Sequence, residues 1–201
     1  MSTISNPNEF TSPMFIAFNQ FFGDYRIKDL KIGHEDPIES SVSGKITYQG
    51  KVIAEFNDDG FGGGLDTTFR DEEKQRLFYA QAEEKIPEKA RVVDGYKLYD
   101  SESSVADCYL EELIRHTDRI KMIKRSKAGK NIAGYNSNSL VKDEFGLLDI
   151  TLVRYWVPIK DGKSNPVSED IFNKISKNLQ NKEQDLIFIF HDLKNWKQTT
   201  C

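Results

Sequence analysis

Little in this chain can crosslink, cross a membrane or direct export. Its two cysteines, Cys108 and Cys201, have no CxxC partner and make no disulfide framework. The longest apolar runs are short, such as Leu186–Phe190, so nothing spans a membrane. The first residues lack the basic start and apolar core of a signal peptide, which points to a cytoplasmic protein. The three histidines, His34, His116 and His191, each have a carboxylate nearby in sequence, but none has the HExxH spacing of a zinc site. No GxSxG elbow is present. Cys108 and His116 would stand roughly 12 Å apart on one helix by rise alone, too far for a nucleophile and its base. Cys108 therefore reads as core.

What is present suits a folded, acidic protein. A chain of 201 residues fits one compact domain or a domain with a small appendage. Its 13 Phe and 8 Tyr are enough to fill a core. The net charge of −4 gives no general attraction to nucleic acid, so any polyanion site must come from local clustering.

The chain reads as helix, several strands, two helices, strand, helix, strand. Residues 13–22 form a helix, with Ser12 as cap, Pro13 at the first helical position and Gly23 closing the end. Phe15, Phe18 and Phe22 share one of its faces. They either cover the sheet, the ordinary fate of such a face, or dock a partner or a second copy. Strand spacing follows over 25–32. Then come 42–48 and 52–56, a hairpin about Gln49-Gly50, where glycine supplies a positive φ. The run NDDGFGGG ends this stretch with turn residues and glycines.

Residues 70–84 predict a helix with Leu77, Phe78 and Ala82 as its stripe, ended by Pro87. A short strand could form around Val92-Val93. The clearest helix opens at Ser104, which pairs with Asp107 in a capping-box pattern, and runs towards Gly129. Residues 134–142 read as a polar loop, 147–159 as a strand, 168–179 as a helix capped by Ser168, and 186–190 as a central strand. The fold class is α+β: a single compact domain with an antiparallel sheet flanked by helices, plus the N-terminal aromatic helix. The expected division is 1–23 tail and helix, 24–194 domain, 195–201 tail.

Two stretches could carry chemistry. In the glycine loop, Gly60, Gly62 and Gly63 could bring backbone N–H groups to an anion, as phosphate cradles do, or could form a bulge at the sheet edge. It is neither a Walker A sequence nor a dinucleotide fingerprint. Asp58, Asp59 and Asp66 could bind a divalent cation, although their spacing matches no EF-hand loop. The second stretch is cationic. Arg115, Arg119, Lys121, Lys124, Arg125, Lys127 and Lys130 face only Asp118 as an acid. Such a cluster suits phosphate groups or an acidic protein surface, and equally a solvated helix end whose dipole favours cations.

The run GHEDPIESSVSGKITYQGKVIAEFNDDGFGGG, followed by IKMIKRSKAGK, DITLVRYWVPI and VSEDIFNKISKNL before LIFIF, resembles a set of small bacterial, plasmid and phage proteins. These pair a strand, a Gly-Lys turn, a strand and a DGxGG-like loop with a later Lys-rich segment. The likeness covers most of residues 25–190. It implies one domain and a mobile-element setting, and brings no activity or catalytic residue with it. The aromatic N-terminal helix and the third consecutive glycine, Gly64, depart from the pattern.

The expectation from sequence is a small non-catalytic binding protein, without cofactor or resident metal. It would bind a host protein, for example inhibiting a defence system, or a phosphate-bearing ligand through its basic segment. The alternative is a metal-dependent enzyme acting on a nucleotide or phosphorylated substrate. There Asp58 and Asp59 would hold the metal, with His34 or Glu35 as acid or base. Self-association through the Phe15–Phe22 helix is a third reading.

Overall fold

The structure is a computed structural model that describes residues 13–33, 41–61, 64–93, 96–97, 99–124, 130–136, 151–156, 169–180, 186–190 and 196–198. The class is α+β, with antiparallel four-stranded sheets and helices. The chain divides into two compact units, Asn19–Asp118, and Met1–Phe18 with Arg119–Cys201.

The unit Asn19–Asp118 is built on a meander of β1 (Tyr25–Ile32), β2 (Val42–Tyr48), β3 (Lys51–Asp58) and β4 (Asp66–Phe69), which lie side by side in chain order. The β2–β3 turn is tight because Gln49 and Gly50 both take positive φ, 49° and 79°. Two left-handed central residues match the twist of a hairpin. Gln49 tolerates this strain with outside help: its amide Nε2 donates to Asp24 Oδ2 at 3.2 Å. β1 carries a bulge between Lys28 and Lys31, where Asp29 has φ 55°.

Helix α1 (Pro13–Phe22) runs into this unit and ends as its sequence predicts, with Gly23 at φ 56° and its N–H on Asn19 O at 3.0 Å. Helix α2 (Glu72–Lys85) is capped by Asp71, whose carboxylate accepts from Lys74 N at 2.8 Å. After α2, a short 3-10 helix (Glu88–Arg91) brings Arg91 back to the helix end. Its guanidinium donates to Ile86 O at 2.9 Å and pairs with Glu83 at 2.7 Å, satisfying carbonyls the helix leaves open. A two-stranded ribbon, β5 (Val92–Val93) and β6 (Tyr96–Lys97), precedes helix α3 (Glu102–Lys124).

The capping box of α3 lies three residues earlier than the sequence pattern suggests. Ser101 and Ser104 exchange it: Ser104 N donates to Ser101 Oγ at 3.2 Å, and Ser101 N to Ser104 Oγ at 3.1 Å. Serine hydroxyls serve here, leaving Asp107 inside the helix.

Aromatic rings tie these elements together. Tyr109 is fully buried, its ring 5.3 Å from Phe22, 5.4 Å from Phe78 and 6.3 Å from Tyr25, and its hydroxyl donates to Phe22 O at 3.3 Å. Each such ring pair contributes about 0.5–1.5 kcal/mol beyond its buried area. Burial keeps both phenols neutral, raising Tyr109 far above its ordinary value and Tyr25 to about 12. Ile46, Ala54 and Phe56 complete the inner face of the sheet, whereas Leu77, expected in the α2 stripe, is exposed.

The other unit holds β7 (Lys130–Asn136), β8 (Thr151–Trp156), α4 (Glu169–Gln180), β9 (Leu186–Phe190) and β10 (Trp196–Gln198). Its sheet order is β10-β9-β7-β8, all antiparallel, so β9 is interior as its continuous apolar run predicts. Two expectations change here. Gly134, Tyr135 and Asn136, read as the start of a polar loop, belong to β7. Trp196–Gln198, read as tail, pairs with β9. Ser12, Ser168 and residues 137–142 lie outside the described residues.

Candidate functional site

Helix α3 carries the start of the cationic segment. At its C-terminal end Arg119 and Lys121 are half-buried, Lys124 is exposed, and Lys130 opens β7. The Arg119 guanidinium sits 5.2 Å from the centroid of the Phe18 ring. At that distance the cation is attracted by the face of the ring. Lys124 has no ion pair among the described residues, and cations in this last turn complement the helix dipole. Arg125 and Lys127 lie outside the described residues. The structure thus describes four of the six predicted cations of 119–130, distributed over one helix end and the strand that follows.

The glycine loop is different. Asp58 Oδ1 accepts from Gly60 N at 2.8 Å, and Asp59 Oδ1 accepts from Phe61 N at 3.0 Å. These are two successive Asx turns, with Gly60 at φ 84°. The N–H of Gly60, expected to meet a phosphate, is therefore already satisfied by a carboxylate. A phosphate brought to that N–H would face Asp58 and Asp59 at close range, so the anion-cradle expectation is corrected for Gly60. Gly62 and Gly63 lie outside the described residues. What this loop presents outward is Phe61, 74% exposed.

The loop also stands in an acidic field. On α3, Asp107 and Glu111 lie one turn apart. Burial, with Glu111 beside it, pushes the Asp107 carboxyl up to about 6. Glu111 is raised by partial desolvation and by Asp58, with Arg115 opposing. Sequence reasoning assigned Asp107 to a cap and passed over Glu111. The available signal was two acids at i and i+4, which repel across one helical turn.

No group of three or more His, Cys, Asp or Glu side chains among the described residues is arranged to hold a metal ion. The expected set Asp58, Asp59 and Asp66 is therefore not assembled: two of its members close turns, and Asp66 belongs to β4. His34, Glu35 and His191 lie outside the described residues. His116 is buried and stacks on Phe22 with centroids 5.5 Å apart. Cys108 is buried, as expected.

The partner-docking expectation for α1 is corrected by burial. Phe15, Phe18 and Phe22 are at most 1% exposed, so these rings serve the protein's own interior. The helix offers Ile16 and Gln20 outward instead. Among the described residues no helix is long and apolar enough to cross a membrane. No protein-family model matches the chain, and no curated protein or solved structure matches it either.

Proposed function

We propose that this protein is a small binding protein acting by occupancy, which engages an anionic partner through residues 119–130. The observation that carries this reading is six cations without one acid over that segment, in a chain whose net charge is −4. They begin on the last turns of α3 and resume at the first residue of β7. The exposed Lys124 supports it, since it has no ion pair among the described residues. An acidic face of a host protein and a phosphate-bearing ligand share the chemistry this segment recognises. Inhibition of a host defence protein is the version that agrees with the mobile-element likeness.

The test is native mass spectrometry of the protein from its own host, beside a variant carrying Lys124→Gln, Arg125→Gln, Lys127→Gln and Lys130→Gln. The expected result is a partner that co-purifies with the parent, dissociates with rising salt and is lost from the variant. A partner retained equally by both would sink the assignment to this segment.

One observation favours a second reading. A carboxyl pushed to about 6, such as Asp107, can exchange a proton near neutral pH, as acid–base catalysis requires. In this reading the protein is an enzyme acting on a nucleotide or phosphorylated substrate, with Asp107 as its acid or base. Nucleotide hydrolysis by the parent, lost in Asp107→Asn with an unchanged fold, is the expected result. No turnover by the parent, or equal turnover by the variant, would remove this reading.

A further inference from the structure

We infer that the outer face of the meander holds a separate binding site, for a short peptide with free amino and carboxyl ends. This face carries an open groove of about 740 Å³, within the range of about 300–1,000 Å³ that small-ligand sites occupy. Its lining includes one complete cross-strand row, Lys31–Ser43–Asn57–Asp66, contributed in turn by β1, β2, β3 and β4. The bulge after Lys28 sets the register that brings Lys31 opposite Ser43.

The charges on this face are not equally available. In the neighbouring row Lys45 pairs with Asp29 at 3.8 Å, and Glu55 pairs with Arg70 at 3.4 Å. Lys31 and Asp66 have no ion pair among the described residues. Among the described residues the groove therefore offers one cation without an ion pair at one end and one acid without an ion pair at the other, with a hydroxyl and an amide between them.

Neighbouring strands about 4.8 Å apart put the two end Cα atoms about 14 Å from each other. An extended tripeptide spans about 10 Å, and the Lys31 stem covers the remainder. A purely anionic ligand would meet Asp66, and a purely cationic one Lys31. A zwitterion with its carboxylate at Lys31 and its ammonium at Asp66 satisfies both, while Ser43 and Asn57 bond its peptide groups. This site is independent of residues 119–130.

Calorimetric titration of the full chain with triglycine, trialanine and triserine tests the proposal, each peptide compared with its N-acetylated and C-amidated forms. At least one free tripeptide is expected to bind saturably, and blocking either end to weaken it about tenfold. Lys31→Gln should remove the sensitivity to amidation alone, and Asp66→Asn the sensitivity to acetylation alone. Both side chains are exposed, and an unchanged melting temperature would verify that the variants fold. The Gln variant of residues 124–130 should bind the tripeptide as the parent does. No saturable binding by any free tripeptide, equal affinity for blocked peptides, or unaltered binding by both single variants would overturn the proposal.

Discussion

The two four-stranded sheets are alike in size and in antiparallel pairing, yet they are wired differently. In the meander every hydrogen-bonded neighbour is also the next strand in sequence. In the other sheet β7 lies between β8 and β9, and β9 reaches it only after α4. The first arrangement joins strands that follow one another in the chain, and its β2–β3 turn carries its own sequence signature in Gln49-Gly50. The second also has consecutive pairs, β7 with β8 and β9 with β10, but they are joined by β7 with β9, a pairing that no turn dictates and that must offset a longer loop closure. Local wiring leaves marks in the sequence, and distant wiring leaves few.

Each sheet is tested by removing what it depends on. Phe78→Ala empties the ring cluster behind the meander and should cost about 3–5 kcal/mol, read by denaturant unfolding. In the other sheet, Ile189 is opposite both Lys197 and Ala133. Ile189→Pro removes a backbone donor from this interior strand and should cost about 3 kcal/mol. A loss below about 1 kcal/mol would mean that β9 is not held on both sides.

Gly44→Ala probes the close approach inside the meander. A methyl group there would stand 2.7 Å from Phe56 Cζ, 3.0 Å from its Cε1 and 3.2 Å from Ile27 Cγ2. The ring lies over the glycine, so overpacking should cost about 1–3 kcal/mol.

The smallest effect carries a sign. The folded Asp107 carboxyl is raised from 3.8 to about 6, so the fold binds its proton more tightly than the unfolded chain does. This residue therefore costs stability as pH rises from about 4 to about 6, and the penalty is complete above that. Asp107→Asn cannot ionise. It should match the parent near pH 4 and exceed it by about 1 kcal/mol at pH 7, a figure reduced for solvent screening. Melting curves at the two pH values check this.

Particular residues show how far the sequence could be read. The bounds of β1, the Gln49-Gly50 hairpin and the Pro13-to-Gly23 helix were all legible, because each rests on short-range chemistry. β7 was not. Asn131, Gly134 and Asn136 are turn-forming residues, and pairing with β8 on one side and β9 on the other overrides their preference. β4 and β10 are too short to show a period of two. At the candidate sites, charge was legible and its disposition was not. The segment 119–130 announces itself by composition, whereas Asp58-Asp59 was legible as a turn but not as the group that would occupy the Gly60 amide offered to an anion.

The bulge at Asp29 has a consequence for how this molecule meets its copies. Among the described strands β1 has a neighbour only on its β2 side, so its far side is the kind of margin on which fibrils grow by strand addition. A recruited strand would find the ladder interrupted at a left-handed Asp29, with Lys28 and Lys31 on either side of the break. Lysines along a sheet margin are among the devices that discourage such pairing. The irregularity that gives the groove its register thus also caps the sheet, and β1 is a poor template for polymer growth.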